Sequence, residues 1–251
     1  MGDLTTWAWV LLAVAALIVG ISKTALPGAA TLAVAIFASV LPAKHSTATL
    51  LVLLIVGDAF ALITYRRHAD WPTLIKLAPA VVCGLLLGAG FLAIADDAWV
   101  QRTIAVILLL VVAFTLWLRW RGTATGLIGR GGRVAAAGYG TLGGFTTMVA
   151  NAGGPVMSMY FLAARFEVKA FLGTAAWFFA IVNIAKLPFA IGLGLLTPQS
   201  LLIDLVLLPA VLIGAFAGRA LAGRMKQAVF ERIVFILTIV AALYLLLSAP
   251  V

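Results

Sequence analysis

Apolar residues occur in runs of about 20, separated by short polar clusters, the pattern of helices that cross a bilayer. Six runs are long enough for a span at ~1.5 Å rise per residue: about 45–65, 73–95, 99–119, 168–193, 198–218 and 227–248. Two other apolar regions are too long for one comfortable helix, and both are interrupted. Leu4–Leu41 is broken by "SKTALPG" and Val134–Ala164 by "NAGGP". Pro and Gly near the middle of such segments mark discontinuous or re-entrant helices. The short alternating segments of a membrane β-barrel are absent from the sequence. The pattern predicts an all-α polytopic membrane protein.

Composition strengthens that reading. Of 251 residues, 65% are hydrophobic and 10% charged, where a soluble domain is nearer half apolar and a quarter charged. Mean hydropathy is +1.20. The net charge of +9 raises the question of a nucleic-acid partner. The basic residues cluster at helix ends, however, so they speak for a bilayer and not for nucleic acid. The single cysteine, Cys83, lies in an apolar run and forms no internal disulfide. The opening "MGDLTTWAW" lacks the basic region of a cleaved signal peptide.

The same clusters predict orientation, because cytoplasmic loops are enriched in Lys and Arg. Arg66, Arg67 and Lys76 mark one cytoplasmic loop; Arg119, Arg121, Arg130 and Arg133 a second; Arg219, Arg224, Lys226 and Arg232 a third. The turn at 194–197 has neither Lys nor Arg, and the turn at 96–102 sets Asp96 and Asp97 against one Arg, so both belong outside. Six spans satisfy this only if each broken region starts and ends on one side. Each is then a hairpin, and the two halves have opposite orientations.

Internal similarity supports the division. At an offset of 125, Lys44 meets Lys169, Thr49 meets Thr174, Asp58 meets Asn183 and Leu62 meets Leu187. At an offset of 130, "PAVVCGLLLG" meets "PAVLIGAFAG", and Pro, Ala, Val and both Gly coincide. Aligning the breaks by proline sets Pro27 opposite Pro155 and Lys23 opposite Asn151. The expected fold is two inverted repeats, each a broken-helix hairpin plus three transmembrane helices. The first covers 1–120, with its hairpin at about 4–43; the second covers 131–251, with its hairpin at about 134–164. That plan is characteristic of secondary transporters.

Pro at the first turn of a helix costs little, so second half-helices are expected near Pro27 and Pro155. A helix N-terminus offers free N–H groups and partial positive charge, which suit an anion. Gly28, Gly153 and Gly154 remove side chains that would block backbone approach, although they serve equally well to tighten a hairpin. Lys23 adds a full positive charge inside an apolar region, and such a charge is expensive unless it has work to do. Thr24, Asn151 and Ser158 add neutral hydrogen bonds. Asp58, Lys186 and Asp204 are the other charges inside spans. Asp58 is a proton-coupling candidate, or one half of a buried ion pair with Lys23 or Lys186; the sequence leaves both open. Asn183 is its repeat partner, and Lys186, one turn on, is a second anion-attracting group.

Several features call for no chemistry. Trp7, Trp9, Trp71, Trp99, Trp117 and Trp120 lie near segment ends as an interfacial belt, and Trp177, midway along a span, reads as packing. Gly138, Gly140 and Gly143 spell GxGxxG but lack the strand a dinucleotide site needs. With Gly84, Gly88, Gly214 and Gly218 they are expected to pack helices closely, which also permits a homodimer. No metal motif, cofactor motif or catalytic acid pair is present in the sequence.

"GISKTALPGA", "ANAGGPVMSMYFL" and "KAFLGTAAWFFAIVNIAKLP" together resemble the TauE/SafE family of sulfite and organosulfonate exporters, over nearly the whole chain. The resemblance implies a bacterial inner-membrane permease for sulfite, sulfoacetate or a related organosulfur acid. Carried over by matching stretch, its binding positions are Lys23, Pro27, Gly28, Asn151, Gly154, Pro155, Asn183 and Lys186. Thr24 and Ala25 stand where glycines are common in the family, a departure that bears on pocket size. The expected function is alternating-access export of a small sulfur anion, with a passive anion channel or a membrane-embedded enzyme or scaffold as the alternatives.

Overall fold

In a computed structural model, residues 4–96 and 132–226 are described throughout, together with isolated positions between 98 and 113 and between 229 and 236. The expected spans at 99–119 and 227–248, Trp117, Trp120, and Arg119, Arg121 and Arg130 fall largely outside the described residues.

The chain enters α1 (Thr6–Thr24), makes a 3-10 turn at Pro27–Ala29 and continues as α2 (Ala30–Val40). α3 (Ala43–Tyr65) ends in a second 3-10 turn, Arg66–His68, and leads to α4 (Trp71–Ile94). The second described stretch holds α5 (Gly132–Ala150), α6 (Gly153–Ala163), α7 (Val168–Gly192) and α8 (Pro198–Ala222). No strand occurs among the described residues. Helix starts follow local chemistry. The Thr5 hydroxyl accepts from Ala8 N at 3.2 Å to cap α1, and the Asp70 carboxylate accepts from Thr73 N at 2.9 Å to cap α4. Thr197 and Ser200 form a reciprocal capping box ahead of α8, with Pro198 in its first turn.

Among the described residues, five helices are long and apolar enough to cross a membrane: α1, α3 with its 3-10 turn, α4, α7 and α8. Their outward faces carry exposed Ile75, Leu86, Leu87, Leu205, Ile213 and Phe216, a surface suited to lipid and not to water. The protein is an all-helical membrane protein.

Both expected breaks are present, but neither divides its region evenly. α1 and α5 have 19 residues each, α2 and α6 have 11 each. At ~1.5 Å per residue the long arms reach ~28 Å and the short ones ~16 Å. Each long arm packs along a helix from the other half of the chain, α1 on α8 and α5 on α4.

Glycine makes both contacts possible. A Cβ on Gly20 would strike the Val211 carbonyl, and one on Gly144 the Val81 carbonyl; Gly214 is closed by Leu17 and Gly84 by Thr141. Gly88 likewise meets Met148, and Gly218 meets Thr24. These contacts pair Leu17, Gly20 and Thr24 with Thr141, Gly144 and Met148 at one offset of 124, and α4 with α8 at 130. By that register the counterpart of Lys23 is Thr147, one turn before the Asn151 that proline alignment sets opposite it. Gly140 also packs closely, against Ala80, and Gly143 against Met157, whereas Gly138 meets nothing within 4 Å.

Candidate anion site where the helix breaks meet

The two breaks end their helices by different means. α5 stops because Asn151 takes the left-handed conformation, φ 55°, which Asn tolerates and which is a common helix terminator. Asn151 N and Ala152 N then bond back to Thr147 O and Thr146 O at 3.0 and 3.2 Å. α1 stops ahead of Pro27, which has no N–H to continue it. The Ser22 hydroxyl lies within donating distance of both Leu26 O (3.1 Å) and Pro27 O (3.2 Å), two carbonyls at the break. α2 proper starts only at Ala30, after the 3-10 turn; α6 starts at Gly153, with Pro155 in its first turn.

The breaks touch. A Cβ on Gly154 would collide with the Pro27 carbonyl oxygen and lie 3.8 Å from Gly28 Cα. Beside this crossing is a cavity of about 10 Å³, lined by Lys23, Pro27, Asn151 and Gly154 from the hairpins, Asp58 from α3, and Phe179 and Asn183 from α7. That volume is room for about one water.

A chain of buried polar groups runs along the cavity wall. Lys23 Nζ forms an ion pair with Asp58 Oδ1 at 2.7 Å and lies 4.6 Å from the centre of the Phe179 ring. Asn183 Nδ2 donates to Asp58 Oδ2 at 2.6 Å. Lys186 Nζ donates to Asn151 Oδ1 and, at 3.4 Å, to Asn183 Oδ1. Asn151 Nδ2 donates to Thr47 O at 2.7 Å. All five side chains from Lys23 to Lys186 are buried, with Lys23 at 7% exposure and Lys186 at 2%. Lys23 does not snorkel to an interface. Gly57 lets it pass, since a Cβ there would sit 2.8 Å from Lys23 Cγ.

Lys23, Pro27, Asn151, Gly154 and Asn183 therefore line one cavity with Asp58, and Lys186 stands one hydrogen bond behind them. Gly28 lies at the crossing itself. Other expected positions face elsewhere. The Thr24 hydroxyl donates to Gly20 O and Ala215 O, tying α1 to α8. Gly153 abuts Thr147 and the Gly143 carbonyl within its own hairpin. Pro155 is buried outside the cavity lining, and so is Ser158, whose hydroxyl has no partner among the described residues. Asp204 is also buried without a partner among the described residues, outside the cavity lining. Trp177 donates from Nε1 to Arg66 O at 3.2 Å and packs on Trp71, which makes it an anchor for the 3-10 turn after α3.

Ser22, Thr47, Gly57 and Phe179 were not legible as site residues. Ser22 precedes the lysine in "SKTALPG", and a hydroxyl near a break is a usable signal. Nothing in sequence marks Phe179 or the Thr47 carbonyl.

The family model described as Sulfite exporter TauE/SafE matches residues 12–245. The chain belongs to this family. Membership makes it a membrane protein of a family of sulfur-anion exporters, consistent with a buried site that carries two lysines. Comparison with curated proteins and with solved structures found no match.

Proposed function

We propose that this TauE/SafE member is a secondary transporter that carries a small sulfur oxyanion out across a bacterial inner membrane by alternating access. One observation carries the reading: Lys23 and Lys186 are both buried within one hydrogen bond of a cavity at which two helix breaks meet. Buried lysines inside a membrane protein are costly, and broken helices that meet at a buried cavity are the usual binding apparatus of transporters.

Hydrogen bonds tie the surrounding helices together at two places around the cavity. At one, Lys186, Asn151 and the Thr47 carbonyl join α7, the second break and α3, and beyond them lies a separate groove lined by Leu51, Leu92, Lys186 and Leu195. At the other, Tyr65 Oη donates to Thr24 O at 2.9 Å, joining α3 to the end of α1. A cavity sized for a water must widen before an oxyanion enters, so binding and movement of the hairpins go together. In this reading Asp58 acts as the counter-ion of Lys23. A proton-carrying role for Asp58 is a further proposal, tested by whether Asp58→Asn removes the response of flux to a pH gradient.

The test is flux in proteoliposomes loaded with sulfite or methanesulfonate. A transporter gives saturable efflux that accelerates when unlabelled anion is placed outside. Flux that rises linearly and ignores external anion would mean a channel instead. Lack of flux for every sulfur anion tried would remove the export reading for this chain.

A further inference from the structure

Charge at the cavity is unequal. Lys23 has a carboxylate partner in Asp58, whereas Lys186 has only the amide oxygens of Asn151 and Asn183. Both amides are fixed the same way round. An ammonium only donates, so each asparagine turns its oxygen to Lys186 and its nitrogen to an acceptor, Asp58 Oδ2 or Thr47 O. The remaining lining residues among those described carry no ionisable group. With both lysines protonated and Asp58 ionised, the site carries a formal charge of +1.

We infer that the site is built for a monoanion, an alkanesulfonate or hydrogen sulfite, and discriminates against dianions such as sulfate and sulfoacetate. This rests on the export reading and narrows its substrate. A buried charge has to be compensated locally, and the low polarity around it makes a mismatch of one charge far more costly than at a surface. A monoanion brings the site to zero. A dianion leaves one negative charge with no cation to answer it, because Lys23 is already committed to Asp58. A zwitterion such as taurine leaves Lys186 as it was. The hydrogen bond from Asn183 to Asp58 holds the aspartate in place as counter-ion, which makes Asp58 the group that sets the charge selected.

The experiment measures affinities of methanesulfonate and sulfate for the purified protein by calorimetry. The two anions share a tetrahedral sulfur and differ by a methyl in place of a charged oxygen. Wild type is expected to hold methanesulfonate at least about tenfold tighter, and Asp58→Asn, at +2, to lower that ratio by at least about tenfold. Lys23→Met/Asp58→Asn removes the ion pair but keeps +1. It is expected to bind more weakly with the preference retained, and it serves as the deciding variant should the single substitution not fold. Equal affinities in wild type, or a preference lost in the double variant, overturn the charge inference and leave export standing. Wild type that binds neither anion overturns both.

Discussion

Gly154→Ala tests whether the crossing of the two breaks is as tight as the geometry indicates. A Cβ at 154 would come within 3.0 Å of the Pro27 carbonyl oxygen, a separation real Cβ atoms essentially never show. Ordinary contact begins at 3.4 Å, so the hairpins must part by at least 0.4 Å. The obstacle is backbone and cannot rotate aside; the Ser22 hydroxyl lies within donating distance of the same oxygen, at 3.2 Å. Overpacking of this kind costs about 1–3 kcal/mol. Gly90→Ala is the control, because Gly90 lies within α4 and a Cβ there meets nothing within 4 Å. It should gain about 0.5–1 kcal/mol from helix propensity alone. The two variants should then differ by about 1.5–4 kcal/mol in denaturant unfolding followed by circular dichroism in detergent. Flux in proteoliposomes should fall in Gly154→Ala only, since Pro27 and Gly154 both line the cavity. A Gly154→Ala protein with wild-type stability and flux would refute the crossing as described.

Three further outcomes are expected. Lys23→Ala and Asp58→Ala should each cost about 3–5 kcal/mol by stranding a buried charge, while the double variant costs less than their sum; additive losses in a double-mutant cycle would mean that the 2.7 Å pair is not formed. Gly20→Ala and Gly144→Ala push a Cβ into the Val211 and Val81 carbonyls respectively, so both should lower unfolding midpoints, each by about 1–3 kcal/mol in stability; a large loss in only one would show that the two helix contacts are not equivalent. Trp177→Phe removes the bond to Arg66 O and should cost about 0.5–1.5 kcal/mol with flux unchanged; loss of flux at normal stability would give Trp177 a part in transport.

Helix placement was legible because it rests on apolar run length, which the bilayer fixes. The expected span at 168–193 is α7, Val168–Gly192, and the expected start at 198 is that of α8. Both breaks were legible too, since Pro27 beside Gly28 and the Asn-Ala-Gly-Gly-Pro stretch each cluster residues that disfavour a continuous helix. Their register was not. Proline alignment sets Lys23 against Asn151, whereas the glycine contacts set it against Thr147. One break is made by a missing N–H at Pro27 and the other by a left-handed Asn151, and those two devices need not fall at equivalent positions. Partner choice was hidden as well. Sequence left Lys23 and Lys186 as equal partners for Asp58; in the structure Lys23, its stem passing close over Gly57, takes the pair and Lys186 bonds to amide oxygens.

The pair Asp58 and Asn183 shows why the site carries its particular charge. These residues correspond at the offset of 125 between α3 and α7, and they are also in direct hydrogen bond. Identical side chains at these two positions would face each other across this contact. Two aspartates would place like charges against one another in a buried site, and one would be driven to protonate. Two asparagines would leave both lysines without a carboxylate, at +2. Aspartate on one side and asparagine on the other satisfies the hydrogen bond and supplies a single negative charge, which pairs with Lys23 and leaves Lys186 on amide oxygens. The difference between the two residues at this one contact places a single carboxylate beside two lysines, and on it rests the charge of the anion proposed to complete the site.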